Sequence, residues 1–408
     1  MVMNLSIRAV GPHQKKLAGG ISLLVQGGKL YAARDVHLNA TSRWWADDLL
    51  IWLHAVHRIV QRWGPAVPDV ELFLDVADWP AQDSADPQLW ASQDYWPVLQ
   101  HCKSSQSVGL TVPTWHFYSY NATAEYFSRT EEFNELYPWD SKLPQAYGGG
   151  LKYFRYQGLT DNQRPFEGNL SDALDVEGPK PELRKLFKQF VKEVVQRPDI
   201  MYDKGRPMLE WAAFKMTILL DGITCSSKIW QLMALGSVVL REQSNYFAFY
   251  DKRLRKFEHF VPFWEHHPSE ITWAVDWVHE NDAAARNMAL RAQAFARNEL
   301  NAEALECYWL MLLHEYAKLL RFKPGTKRAV SPGGPGENES AGEGAQYYVP
   351  MEDWFAEEDE HGNLEKMFKN WPRDEVRRRA GVLELLPAVD MHSTAVRHVQ
   401  GAAQQQGT

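Results

Sequence analysis

The stretch Phe214-Lys-Met-Thr-Ile-Leu-Leu-Asp-Gly-Ile-Thr-Cys-Ser-Ser-Lys-Ile-Trp-Gln-Leu-Met-Ala-Leu-Gly-Ser-Val-Val-Leu240 decides the fold. Phe214, Met216, Ile218 and Leu220 alternate as a buried strand does, and Asp221-Gly222 turns the chain. Thr224, Ser226 and Ser227 bring hydroxyls to the start of a helix, with Lys228 in its first turn. Ile229, Leu232 and Met233 form that helix's apolar stripe. Gly236 suits its stop, and Ser237 to Leu240 is the next strand. This is a βαβ-type unit with a polar, glycine-containing turn at the carboxyl end of its first strand. Ligands of open α/β sheets bind at such ends. Unpaired amides and the helix dipole favour an anion there, to which hydroxyls and one lysine add. The same Ser and Thr pattern also serves an N-capped helix that binds nothing.

Outward from this unit the periodicities continue. Gly27-Gly28 before Lys29-Leu30-Tyr31 reads as a hairpin turn entering a short strand. Trp45 to Trp63 is helical, with Leu49, Trp52, Leu53, Val56, Ile59, Val60 and Trp63 at helical spacing, and Gly64-Pro65 stops it. Val70 to Val76 is strand-like and ends at Asp78-Trp79-Pro80. Gly109 to Phe117 is a second strand candidate. Residues 144–166, with Gly148-Gly149-Gly150, read as loop. Pro181 to Gln196 is a helix, and three more are expected near 269–280, 282–299 and 302–321. Residues 324–346 are rich in Gly, Pro and Glu and read as a linker. Residues 347–385 regain aromatics and could dock back as a helix. The whole reads as an α/β protein with mainly parallel sheets.

Composition bounds the function. Net charge is −8 and no Lys/Arg run could track phosphates, which excludes a nucleic-acid binder. No stretch approaches the ~18 apolar residues of a membrane span. The 17 tryptophans suit cores and sugar-stacking platforms alike. Cys102, Cys225 and Cys307 fit no zinc or CxxC spacing, and an odd count leaves the redox compartment open. Asn-x-Ser/Thr sequons at Asn4, Asn39, Asn121, Asn169 and Asn338 lean toward the secretory pathway, although Met1 to Val10 shows no basic-then-apolar leader. His266-His267 beside Glu265 lacks a third ligand at helpful spacing, and His314-Glu315 lacks the second His of a zincin. No catalytic metal is expected. The absence of G-x-G-x-x-G disfavours a nicotinamide dehydrogenase.

The run Asp221 to Leu240 resembles the signature of the capsule-associated and Rumi-type protein O-glucosyltransferase family, where a Gly-x-x-x-Ser-x-Arg turn precedes a helix and a Gly-Ser-Val-Val strand. The resemblance extends through Tyr250, Leu254, His259-Phe260-Val261-Pro262, Asn281-Asp282, Cys307-Tyr308-Trp309 and Glu315-Tyr316. Upstream it takes in Gly27 to Tyr31 and Asp69 to Pro80, so it covers roughly residues 20–322. It implies a GT-B fold, with two Rossmann-like domains facing a central cleft, and inverting transfer of glucose or xylose from a UDP donor. The UDP-sugar is then a co-substrate, the acceptor a protein or glycan hydroxyl, and the setting the endoplasmic reticulum or Golgi lumen.

The family's base, the Asp of its Asp-Tyr/Trp-Pro motif, falls on Asp78. Its diphosphate contacts fall on Ser226 and Lys228, within a donor turn that includes Gly222, Thr224 and Ser227. The family's aromatic-Arg-Gly motif is replaced by Tyr147-Gly148-Gly149-Gly150, so its charge is sought in Lys152, Arg155 or Arg164. Lys228 stands where Arg is usual and lacks the bidentate fork. Trp79, Trp115, Phe117 and Tyr118 are candidate walls of the acceptor cleft. The expected domains are 1–165 on the acceptor side and 166–323 for the nucleotide sugar, followed by the 324–346 linker and a 347–408 extension. The altered motif also leaves room for a degenerate member that binds glycans or proteins without catalysis.

Overall fold

The computed structural model describes residues 20–34, 43–78, 98–104, 107, 109–151, 182–203, 206–326 and 348–360, with the side chains of 43–47 and 359–360 outside that description. Two sheets organise it. The deciding stretch forms β9 (Phe214–Leu219), the helix Ile229–Ala234 and β10 (Val238–Glu242). With β7 (Leu143–Gly148), β8 (Ile200–Tyr202) and β12 (Val261–Phe263) they build a five-stranded sheet in the order β12-β10-β9-β7-β8. Every pairing in it is parallel. Such a sheet needs cover on both faces. Met216, Ile218 and Leu220 pack into one apolar cluster with the helix Glu270–Glu280, while Phe214 and Leu219 pack into another with the helix Ile229–Ala234.

The second sheet is mixed. Its order is β13-β2-β1-β3-β4-β6, from β1 (Gly20–Gln26), β2 (Lys29–Ala33), β3 (Val70–Asp75), β4 (Val98–Gln100), β6 (Leu110–Thr111) and β13 (Tyr348–Pro350). β13, β2, β1 and β3 run antiparallel, whereas β3, β4 and β6 are parallel. The Gly27-Gly28 turn takes positive φ at both residues, as a two-residue hairpin requires. β3 is buried along its length, and its one charged interior residue, Glu71, accepts a hydrogen bond from the Tyr348 hydroxyl at 2.8 Å. The helices Arg43–Trp63 and Ala302–Leu319 share this sheet's core through Trp52, Leu53, Trp309, Leu313 and Tyr316. The chain therefore returns to the mixed sheet after completing the parallel one. It adds β13 there and the helix Met351–Glu360, whose Trp354 is buried. A short ribbon of β5 (Lys103–Ser104) and β11 (Tyr246–Phe247) joins the two halves.

Three sequence expectations are corrected. Leu143–Gly148, expected within a loop, is an interior strand. A Cβ on Gly148 would lie 2.7 Å from both Ile218 Cβ and the Tyr202 ring, so this glycine records close packing rather than a turn. Of the strand expected over Gly109 to Phe117 only Leu110–Thr111 pairs, because the chain coils into a helical turn at His116–Ser119. The helix expected to Gln196 is α-helical over Leu183–Phe190 and widens to a π-turn over Val191–Val195.

Candidate active site

β9 ends in a turn that its own side chains shape. Asp221 is buried and its Oδ1 accepts the Ser226 amide at 2.7 Å, while its own amide donates to Glu242 Oε2 at 2.9 Å. Ser244 donates its hydroxyl to Asp221 Oδ2, and the Gly222 amide bonds the Thr224 carbonyl at 2.9 Å. The loop is thus closed before the helix Ile229–Ala234 begins, with Lys228 at its N-cap.

Two cations meet at this turn. Lys228 Nζ donates to the Gly149 carbonyl at 2.8 Å and sits 5.5 Å from the Trp211 ring centroid. Arg184, buried, donates from Nη2 to the Leu220 carbonyl at 2.9 Å and to Ser226 Oγ at 3.4 Å. A Cβ on Gly150 would lie 2.8 Å from Arg184 Nη1 and 3.0 Å from Lys228 Nζ, so the glycine lets the backbone lie against both charges. Burial first, and the Arg184 charge second, push the Lys228 ammonium down to about 7. An anion placed here would reverse that push.

Sequence reading missed Arg184. The signal was present: Arg184, Phe187 and Val191 repeat at i, i+3 and i+7, which puts a charge inside the helix's buried stripe. Lys152, Arg155 and Arg164, where that charge was sought, lie outside the described residues, as does Trp79.

Asp78 follows β3 in the other sheet, yet it adjoins this turn. The Thr224 hydroxyl donates to the Asp78 carbonyl across 146 residues of sequence. Beside that bond, Cys225 is disulfide-linked to Cys102, with 5.8 Å between Cα atoms, and the β5–β11 ribbon lies next along the chain. The pairing resolves the odd cysteine count: Cys307 is exposed and free. The Asp78 side chain is two-fifths exposed, and its Oδ1 lies 3.9 Å from His101 Nε2. Burial pushes its carboxyl up to about 6; Asp75, which accepts the Ala77 amide, is raised to about 6 by the same cause. A small cavity between the halves is lined by His101, Thr114, Cys225, Ser227, Phe249 and Tyr250.

The proposed acceptor walls fall elsewhere. Trp115 lies in the core of the mixed sheet against Trp52, and Phe117 in a core of the parallel sheet, stacked 5.0 Å from Trp230. The Tyr118 hydroxyl accepts the Trp309 indole N–H at 3.0 Å. These rings are wanted by the cores because burying an aromatic face stabilises more than leaving it in a cleft. Glu265, His266 and His267 donate their amides to Glu270, so this segment caps the helix Glu270–Glu280. Among the described residues no helix is long and apolar enough to cross a membrane.

The fold and site define a class: an α/β protein that sets two basic side chains at one strand end against a carboxylate at the end of another. The chain belongs to glycosyl transferase family 90, whose model matches residues 13–332. It is similar to protein O-glucosyltransferase 2 of Danio rerio (24% identity, covering 63% of this chain and 49% of that one). It resembles protein O-glucosyltransferase 1 of Homo sapiens at 23% identity (63% and 64%) and the O-glucosyltransferase rumi homolog of Anopheles gambiae at 24% (74% and 72%). The chain spans about half to two-thirds of the first two relatives. A solved structure of Anabaena Alr3699/HepE in complex with UDP-glucose overlaps 47% of this chain and 52% of its own, at 12% identity and a TM-score of 0.29, too slight a likeness to carry a structural inference.

Proposed function

We propose that this chain is a UDP-sugar-dependent glycosyltransferase of GT-B type that transfers glucose or xylose, with inversion, to a hydroxyl of a protein or glycan. In this reading the acceptor oxygen attacks the anomeric carbon as its proton passes to the Asp78 carboxylate. The bond from that carbon to the diphosphate breaks, and the departing charge is received by Lys228, Arg184 and the Ser226 hydroxyl. A positioned base contributes about 10²–10⁴ in rate, and fixed positive charge at the leaving group contributes the larger electrostatic part. Asp78, raised to about 6, stays ionised at neutral pH with enough basicity to take a proton.

The observation that supports this most is the Thr224–Asp78 bond, which brings the carboxylate-bearing strand end onto the two-cation turn. Residues 1–165 would serve the acceptor and 166–323 the donor. The Cys102–Cys225 disulfide favours an oxidising compartment such as the endoplasmic reticulum or Golgi lumen. The reading needs no catalytic metal, since two basic side chains stand where the diphosphate would lie.

The test is thermal stabilisation of the purified chain across UDP, UDP-glucose, UDP-xylose, UDP-galactose, GDP-mannose and NAD. A shift with UDP and one UDP-sugar supports the donor class and names the sugar. A folded sample unmoved by every nucleotide overturns it in favour of a degenerate binding module.

A further inference from the structure

Three contacts converge on His101. It precedes Cys102, which is bonded to Cys225 of the donor turn, and the Cys225 amide approaches Cys102 Sγ at 3.1 Å. Its ring meets Trp115 edge-on at 4.7 Å, and its side chain is only 7% exposed. Its Nε2 faces Asp78 Oδ1 at 3.9 Å, and the ring itself lines the small cavity that also reaches Ser227 and Thr114. Its Nδ1 is buried with no hydrogen-bond partner among the described residues.

Burial, then the nearby His116, keeps this imidazole neutral, so that it takes up a second proton only near 3. A neutral imidazole carries one N–H. On Nδ1 that N–H would be buried with nothing to accept it, whereas on Nε2 it points toward a carboxylate. Leaving a lone pair unmatched costs less than orphaning a donor beside an available anion. The tautomer is therefore fixed by the fold, and the ring cannot turn away because Trp115 packs against it and its neighbour is cross-linked.

We propose that His101 is a positioning residue for Asp78: its Nε2–H is held toward Oδ1 of the carboxylate and leaves Oδ2 to take the proton of the acceptor hydroxyl. The 3.9 Å separation is longer than a hydrogen bond, and catalytic hydrogen bonds commonly tighten as substrate binds. This rests on the reading of Asp78 as the base. Among the described residues the titratable groups around the pair are few: His116, bonded through Nδ1 to the Thr114 hydroxyl and held neutral to about 4, also packs on Trp115, and Tyr250, held protonated by burial, lines the same cavity as His101. Asp75 lies three residues before Asp78. From the donor turn come the Thr224 hydroxyl and Cys225, which as a disulfide does not titrate.

The experiment is direct titration of Asp78 by carboxyl carbon-13 NMR in the full chain, with Asp78→Asn assigning the signal. It needs no acceptor. His101→Leu removes the donor, His101→Asn withdraws it to the Nδ1 end, and His101→Gln returns an N–H near the Nε2 position. The Asp78 midpoint is expected to rise by about one to two pH units in the Leu and Asn variants and to stay at the wild-type value in Gln. The acid limb of UDP-glucose turnover should follow the same order while UDP affinity holds. A midpoint unmoved in all three variants, or moved equally in all three, overturns the proposal. If the midpoint obeys His101 but Asp78→Asn keeps full turnover, the contact stands and the base assignment falls instead.

Discussion

The ends of β3 and β9 are the same structural feature put to opposite use. Both are carboxyl ends of buried strands, and both project into the space between the sheets. At β9 the chain closes a hydrogen-bonded loop through Asp221, then gathers Arg184 and Lys228 around it. At β3 it gathers Asp75 and Asp78, with neither carboxylate matched, among the described residues, by a basic partner within an ordinary bond length. Each end perturbs its groups by burial, downward for the lysine and upward for the acids, and both move toward neutral pH. The lesson is that the polarity of a cleft is set by which helix or loop covers each strand end, not by the strand itself.

The strongest way to break this comparison is at the acidic end. Asp78→Asn should lower turnover by about 10²–10⁴ while the UDP dissociation constant stays within about twofold. Paired kinetics and calorimetry check it, and equal activity would remove Asp78 from the chemistry. The tie between the ends comes next. Cys225→Ser opens a cross-link spanning 123 residues and should cost about 2–4 kcal/mol in thermal unfolding. It should also weaken UDP binding, since the cradle loses its anchor to the other sheet.

At the basic end, Lys228→Ala and Arg184→Ala should each weaken UDP by about 10- to 100-fold, as loss of a charge-assisted hydrogen bond predicts. Arg184→Lys should recover only part, having no fork. An unchanged constant would move the diphosphate elsewhere. The pH dependence sharpens the contrast further. Free Lys228 loses its proton near 7, so above that pH UDP binding must take one up. Affinity should fall by up to about tenfold per pH unit above 7, whereas turnover should rise as pH climbs through about 6 and Asp78 ionises. Calorimetry in buffers of different ionisation enthalpy measures the proton count. The smallest effect is expected at Gly148→Ala, about 1–3 kcal/mol of stability, from forcing a methyl against Ile218 and Tyr202.

Much of this was written in local pattern. The helices expected near 269–280, 282–299 and 302–321 form at Glu270–Glu280, Asp282–Glu299 and Ala302–Leu319, because long apolar stripes with stops leave few alternatives. The turn after β9, with its hydroxyls and Lys228 ahead of a helix, was legible as well. Arg184 was not, although its stripe was, because a charge inside an apolar period reads locally as an error. Trp115 and Phe117 were misplaced for the opposite reason: aromatic composition does not say whether a ring faces ligand or core.

The sequence by itself determined the βαβ unit over 214–240, the Gly27-Gly28 hairpin and the residue types able to hold a diphosphate or take a proton. Those features depend on side-chain periodicity and backbone preference within a few residues. Only the tertiary structure decided that Thr224 reaches Asp78, that Cys102 pairs with Cys225, that Arg184 joins Lys228 and that His101 faces the carboxylate. Each joins segments at least 42 residues apart in the chain, except the His101 contact at 23, and such meetings follow from how the two sheets close on each other. Closure is fixed by the summed burial of both cores, which no short stretch of sequence records.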